Sequence, residues 1–343
     1  MSCFQGFDGR SVLMFTSRDL HVIIQAGDED PRLFPLTSAL SGHAVPKQFA
    51  FIAGDGSLLQ QTVASYAALV PPERIAVVVS TKYEELARTQ LRQWRRIGIL
   101  ARPIDRGPLV DLLLALGRVV ARAPEAAVIV APAYHYVPGG SVLAGSLVAA
   151  GLALATSPII IAGAAMTGVD GGDRIVVPGS GLDGRILSVR RSVEHAPRAE
   201  AKQLKASGAL WDTFAFTARA AELWKIAARK LPIRAAIVER LWASVLAPSD
   251  SVGAAFQRMP ATIHEGALWQ GTKDLGVIPV HGSGWNAWST PQQVMNSLND
   301  PLDLDRILSR IYQRQHGITR AQMLRRFRAE ARLREVPERM IHR

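Results

Sequence analysis

The run His21-Val22-Ile23-Ile24-Gln25-Ala26-Gly27-Asp28-Glu29-Asp30-Pro31-Arg32-Leu33-Phe34-Pro35-Leu36, followed by Pro46-Lys47-Gln48-Phe49, decides how this chain is read. Val22, Ile23 and Ile24 form a short unbroken apolar run, the mark of a strand buried on both faces. Residues 26–36 gather a glycine, three consecutive acids and two prolines, and are expected to form the turn that leaves the strand. In an open α/β sheet, the turn after the first strand is where phosphate groups are bound.

Further along, strand-like and helix-like runs alternate. A helix is expected to begin over 57–63 with Ser57 as its cap, followed by a strand over 74–80, a helix over 83–94 and a strand over 97–101. A helix over 109–121 and a strand over 127–131 continue the series. This alternation predicts an α/β fold: a Rossmann-like, mostly parallel sheet with helices on both faces. Beyond residue 163 the rhythm changes. Short strands are expected at 174–177, 185–191, 213–217 and 275–280, among helices at 199–206, 218–230, 233–247 and 252–259. A helical C-terminal tail, 302–315 and 319–334, follows as a separate layer. The expected organisation is a lead-in over 1–20, an α/β domain over 21–298 and a basic helical extension over 299–343.

With 343 residues, 48% of them hydrophobic, the chain can bury a full core. Its single cysteine, Cys3, excludes an intrachain disulfide, and a reducing cytoplasm is the expected setting. The formal charge is +11 and the isoelectric point about 10.4. Residues 301–343 hold 11 Arg against 5 acids, 11 − 5 = +6, so much of the excess lies in the tail and nucleic acid is not an expected partner. Residues 137–169 carry no charge, but glycines and Ser157-Pro158 interrupt them. They are expected to form a buried helix over 141–155 and a strand over 158–163, with no membrane span and no leader over 1–20.

With Arg32-Leu33, Pro35-Leu36 and Pro46-Lys47-Gln48-Phe49, the stretch from 21 to 49 resembles the start of the mannose-1-phosphate guanylyltransferases, which join a sugar 1-phosphate to a nucleoside triphosphate. Other motifs keep the family's order: Ser57-Leu58-Leu59-Gln60-Gln61-Thr62, Pro71-Pro72-Glu73-Arg74-Ile75, Ala131-Pro132-Ala133 with His135, Val193-Glu194, Ala206-Ser207-Gly208 with Leu210-Trp211, and Gly284-Trp285. The likeness covers 21–298. It implies the nucleotide-diphospho-sugar transferase fold and a nominal reaction in which GTP and mannose 1-phosphate give GDP-mannose and pyrophosphate, with Mg as cofactor if the protein is active. It also implies that Arg32 and Lys47 are the catalytic cations and that Gly27, Arg106, Gly172, Glu194, Trp211 and Asp212 contact nucleotide or sugar phosphate.

The chain departs from the family's pattern where the chemistry is densest. Gly-Gly-x-Gly-Thr-Arg reads here Gly27-Asp28-Glu29-Asp30-Pro31-Arg32, placing acids where a triphosphate would lie and removing a backbone donor at Pro31. The aspartate of Pro-Ala-Asp-His is Tyr134, and that of Gly-Trp-Ser-Asp is Ala287, so no metal ligand is assigned. Glu-Pro-x-x-Arg-Asn-Thr reads Arg102-Pro103-Ile104-Asp105-Arg106-Gly107-Pro108, Thr-Gly-Tyr-Gly-Tyr reads Gly171-Gly172-Asp173-Arg174-Ile175, and Trp-Asn reads Trp211-Asp212.

Three readings follow. In the first, the chain has lost most or all catalysis and serves as a regulatory or scaffolding subunit, as a homo-oligomer or beside an active paralogue. In the second, it is an active sugar nucleotidyltransferase in which Asp28, Glu29 and Asp30 hold the metal. In the third, the tail acts: Met323, Leu324, Phe327 and Leu333 among five arginines make a basic amphipathic helix for a partner or an anionic surface.

Overall fold

The computed structural model describes residues 20–243, 249–261, 268, 275–298 and 325. The expected lead-in, up to residue 19, and the expected tail helices, apart from Arg325, lie outside these residues. Nine strands are described: β1 Leu20–Gln25, β2 Ile75–Ser80, β3 Gly98–Arg102, β4 Ala127–Pro132, β5 Ile159–Ala165, β6 Arg174–Asp183, β7 Ile186–Glu194, β8 Leu210–Arg219 and β9 Leu275–Val280. The α-helices are α1 Phe34–Ser41, α2 Leu58–Ala67, α3 Glu84–Gln90, α4 Pro108–Val120, α5 Gly140–Leu152, α6 Arg198–Ala206, α7 Ala220–Lys230, α8 Pro232–Ala243, α9 Ser249–Arg258 and α10 Pro291–Ser297. The chain divides into two compact units, one made of Met1–Asp28 with Leu59–Ala287, the other of Glu29–Leu58 with Trp288–Arg343.

The first unit holds the whole sheet, in the order β3-β2-β1-β4-β8-β5-β9-β7-β6. From β3 to β4 the strands run parallel, as their alternation with helices implies; β1 pairs with β4 through Val22↔Ile129 and Ile24↔Ala131. The valines and isoleucines of β1, β2 and β4 are fully buried because this part of the sheet is covered on both faces. The second half is mixed. β8 runs antiparallel to β4 on one side and β5 on the other, whereas β5 and β9 are parallel. The crossing that puts β8 between β4 and β5 joins the two halves of the sheet.

Helix α4 supplies much of the core, with Leu109, Leu112, Leu113 and Leu116 buried. Gly117 lets α8 come close: a Cβ there would lie 2.7 Å from Val238 Cγ1. Trp242 on the same helix donates its indole N–H to the Leu114 carbonyl at 2.9 Å. The uncharged stretch 137–169 resolves into α5 and β5. No helix among the described residues is long and apolar enough to cross a membrane.

The stretch expected to be a turn over 26–36, which enters the second unit at Glu29, contains more structure than that. Pro31–Leu33 forms a single 3-10 turn and α1 follows it directly, with Pro35 in its first turn and Gly42 closing it at φ +82°. The prolines read as breakers, yet a proline in the first turn loses no helical hydrogen bond. Helix α10 opens with a reciprocal cap, in which the Thr290 side chain accepts from Gln293 N and the Gln293 side chain accepts from Thr290 N. Trp288, fully buried with φ +50°, donates from its indole to Ser297 Oγ at 2.5 Å.

Candidate functional site

In the first unit, the turn after β1 is held by buried charge. Arg102 stands at the end of β3 and is almost fully enclosed, its side chain 2% exposed. Its Nε lies 3.0 Å from Asp111 Oδ1 and 3.1 Å from Oδ2, and its Nη2 donates to the Gly27 carbonyl at 2.5 Å. Nη1 reaches Asp105 Oδ1 at 3.2 Å. Asp111 projects from the first turn of α4, a helix start tied to the end of β1 by Gln25, whose side-chain amide donates to the Pro108 carbonyl at 2.8 Å. Burial pushes the Asp111 carboxyl up to about 7; the Arg102 charge pulls it down, while Asp105 and Asp28 push it further up. Gly27 lies against this buried pairing of Arg102 with the Asp111 carboxyl.

Four of the expected contacts meet around a second buried arginine. Register does this: Arg174 is directly opposite Glu194 across β6 and β7, and the β6–β8 pairing of Ile175 with Trp211 sets Asp212 beside it. Arg174 Nη2 is 3.2 Å from Glu194 Oε1, and Nη1 is 3.2 Å from Asp212 Oδ2. The guanidinium also lies over the Phe214 ring, 4.9 Å from its centroid. Asp212 is 1% exposed, and burial raises its carboxyl; Arg174 and the Phe214 N–H, at 2.8 Å from Oδ1, act the other way.

A bulge in β8 aims these groups. Ile161 pairs with Phe216 and Gly163 with Asp212, so Thr213, Phe214 and Ala215 face the single residue Ala162. Phe214 takes φ +56°, a conformation an aromatic residue adopts only when its surroundings impose it. Thr213 Oγ1 fixes the bulge by donating to the Ala162 carbonyl at 2.8 Å.

Gly171 and Gly172 lie beneath two indoles. A Cβ on Gly171 would meet Trp211 Nε1 at 2.7 Å, and one on Gly172 would meet Trp285 Cη2 at 2.7 Å. The Gly171 carbonyl accepts from Ala287 N at 2.9 Å, which anchors the Gly284-to-Ala287 run on this loop. Trp285 donates its indole N–H to His135 Nδ1 at 3.3 Å, and Tyr134 packs edge-on against the same imidazole at 4.8 Å.

Arg32 and Lys47 both belong to the second unit. Arg32, 56% exposed, is chelated by Asp30 through Nε at 2.9 and 2.8 Å and Nη2 at 2.6 Å. Burial alone would raise Asp30; the hydrogen bonds from Arg32 and the charges of Arg32 and Lys47 outweigh it and hold the carboxyl below its ordinary value. Lys47 is buried, and its Nζ donates to the Trp288 carbonyl at 3.0 Å. Arg106, expected to contact nucleotide or sugar phosphate, donates to the Phe256 and Gln257 carbonyls at 3.0 and 3.2 Å, near the end of α9.

Magnesium does not fit the described residues at the positions where the resemblance places it. At the two positions where the resemblance places metal carboxylates stand a phenol packed on His135 and the methyl group of Ala287, which is buried. Among the described residues, no group of three His, Cys, Asp or Glu is placed to hold a metal ion. Arg102, Asp111, Arg174 and Phe214 were missed from sequence. The available signals were an acid inside the apolar run 109–116 and two arginines where the family has glutamate and glycine.

No family model matches the chain, and no curated protein matches it. Its architecture is that of the nucleotide-diphospho-sugar transferases. Similar solved structures include mannose-1-phosphate geranyltransferase from Thermus thermophilus, with TM-score 0.71 and 22% identity over 82% of this chain and 80% of that one. Mannose-6-phosphate isomerase from Helicobacter pylori follows with TM-score 0.60 and 15% identity over 78% of this chain and 99% of its own. UDP-glucose pyrophosphorylase complexed with UDP-glucose gives TM-score 0.50 and 13% identity over 81% and 97%. At these identities the likeness is one of fold.

Proposed function

We propose that this chain is a nucleotidyltransferase-fold protein that performs no transfer and works as a regulatory or scaffolding subunit, as a homo-oligomer or beside an active relative. One observation carries the reading. Glu194 and Asp212, the acids that the resemblance assigns to substrate, are held by the chain's own Arg174 at 3.2 Å each. Asp212, which would have to hand its hydrogen bonds to a reacting ligand, is satisfied internally at 1% exposure, and Glu194, 43% exposed, is paired with the same guanidinium.

The remaining chemistry points the same way. Phosphoryl and nucleotidyl transfer depend on positioning and on cations that neutralise developing charge. Arg32 is neutralised by Asp30, and carboxylates are missing at Tyr134 and Ala287. Nucleotide and sugar phosphate, nominally the guanosine and mannose compounds, are the ligand classes that go with the retained framework, and a cytoplasmic setting goes with the single cysteine.

The test is to mix the full chain with an active sugar nucleotidyltransferase from the same organism, following co-elution and the active enzyme's rate of pyrophosphate release. A complex with an altered rate is expected. Independent elution with an unchanged rate would remove the regulatory role.

A further inference from the structure

We infer that Arg102 and Arg174 are resident cations on two groups of oxygens of the kind that bind divalent metals, and that both groups are therefore closed to metal. This deepens the non-catalytic reading and rests on it, but it is measured by binding and not by turnover.

The donor sets carry the inference. Around Arg102 are both oxygens of Asp111 at 3.0 and 3.1 Å, Asp105 Oδ1 at 3.2 Å and the Gly27 carbonyl at 2.5 Å. Two carboxylates and a backbone carbonyl are the hard oxygen ligands from which calcium and magnesium sites are built. A planar guanidinium meets the same groups with directed donors: Nε donates to Asp111 Oδ2 and Nη2 to the Gly27 carbonyl, Nη1 faces Asp105, and Asp111 Oδ1, which accepts no hydrogen bond among the described residues, is met by charge alone. Around Arg174 are Asp212 Oδ2 and Glu194 Oε1, with the Phe214 ring closing one face.

Both arginines are buried, at 2% and 4% exposure. Little solvent screens them, so a divalent ion brought to the same oxygens would meet a positive charge at contact distance. Nor can either guanidinium readily swing away. Its departure would leave a carboxylate enclosed without a counter-charge, Asp111 at 4% exposure in one case and Asp212 at 1% in the other. The cation is thus built into the sequence, at the two places where the resemblance has glutamate and glycine.

Manganese serves as the probe, being a paramagnetic ion that accepts the same hard ligands. Free and bound ion are counted by electron paramagnetic resonance on the full-length protein, beside thermal unfolding with manganese, with magnesium and with a chelator. The wild-type chain is expected to show no saturable binding and no change in Tm on adding ion or chelator. Arg102→Met, which keeps an apolar stem but removes the charge, is expected to have a lower Tm and to bind manganese saturably where wild type does not. Arg174→Met provides a second, independent site for the same measurement if Arg102→Met does not fold. Arg102→Lys retains a cation and is expected to stay indifferent to metal.

Saturable manganese binding by the wild-type chain would overturn the inference, as would an Arg102→Met protein that folds yet gains no manganese. Metal binding without pyrophosphate release would defeat this inference alone; release of pyrophosphate without metal would defeat the non-catalytic reading and leave this one standing.

Discussion

Gly27 lies directly against Asp111: a Cβ at residue 27 would come within 2.3 Å of Asp111 Oδ2 and 2.8 Å of Arg102 Nε. The glycine at the first turn is thus required here by a protein side chain. In a phosphate-binding turn the same glycine would allow the backbone to approach a ligand.

Gly27→Ala is expected to destabilise the fold by about 2 kcal/mol, the usual cost of forcing a methyl group into a filled interior. The ion pair on the far side cannot yield without losing its own geometry. Urea unfolding of the two proteins measures the difference, and a change smaller than about 0.5 kcal/mol, typical of open surface positions, would show that the space is not filled.

Asp111 gives a pH dependence of defined sign. Its folded value, about 7, stands above the ordinary 3.8, so the folded protein holds this proton more tightly than the unfolded chain. The stability it contributes is complete below the ordinary value and is lost as pH rises through the folded one. Relative to wild type, Asp111→Asn should therefore gain stability between about pH 4 and pH 7 and level off above, read from urea midpoints across that range. A relative loss over that interval would contradict the assignment.

The two partners of Arg174 should differ sharply. Asp212 is 1% exposed and Glu194 43%. Asp212→Ala leaves the guanidinium short of its buried counter-charge and is expected to cost about 3–5 kcal/mol. Glu194→Ala removes a half-exposed partner that water can replace, and about 1 kcal/mol or less is expected. Equal losses in thermal and chemical unfolding would mean that the pair acts as one unit.

In the second unit, Thr290→Ala removes one half of the reciprocal cap of α10 and is expected to cost about 1 kcal/mol. Amide hydrogen exchange is the suitable readout. Protection should fall at Gln293 and Val294, whose backbone groups are bonded at this end of the helix, while β1 and β4 stay unchanged.

Much of the fold is legible in the residues themselves. The apolar runs of β1, β2 and β4 are read correctly because strands buried on both faces must be uniformly apolar, and the helices between them make the connections parallel. The antiparallel insertion of β8 is not, because pairing order is a long-range property that no local period encodes. Motif order brings Gly172, Glu194, Trp211 and Asp212 together in advance. What it misses is Arg174 at their centre, because a charged residue next to Ile175 at the start of a strand looks like a solvated edge until the register across β7, β6 and β8 is known. Asp111 is hidden for a different reason: a lone acid in an apolar helix reads as an interruption, and only Arg102, on another element, explains it.

The most direct test of the non-catalytic reading is pyrophosphate release by the purified full-length chain supplied with GTP, mannose 1-phosphate and magnesium, run beside an active guanylyltransferase. Release at background level is expected, unchanged by Arg32→Ala or Lys47→Ala. Release above background that either substitution abolishes would contradict it and make Arg32 and Lys47 working catalytic cations.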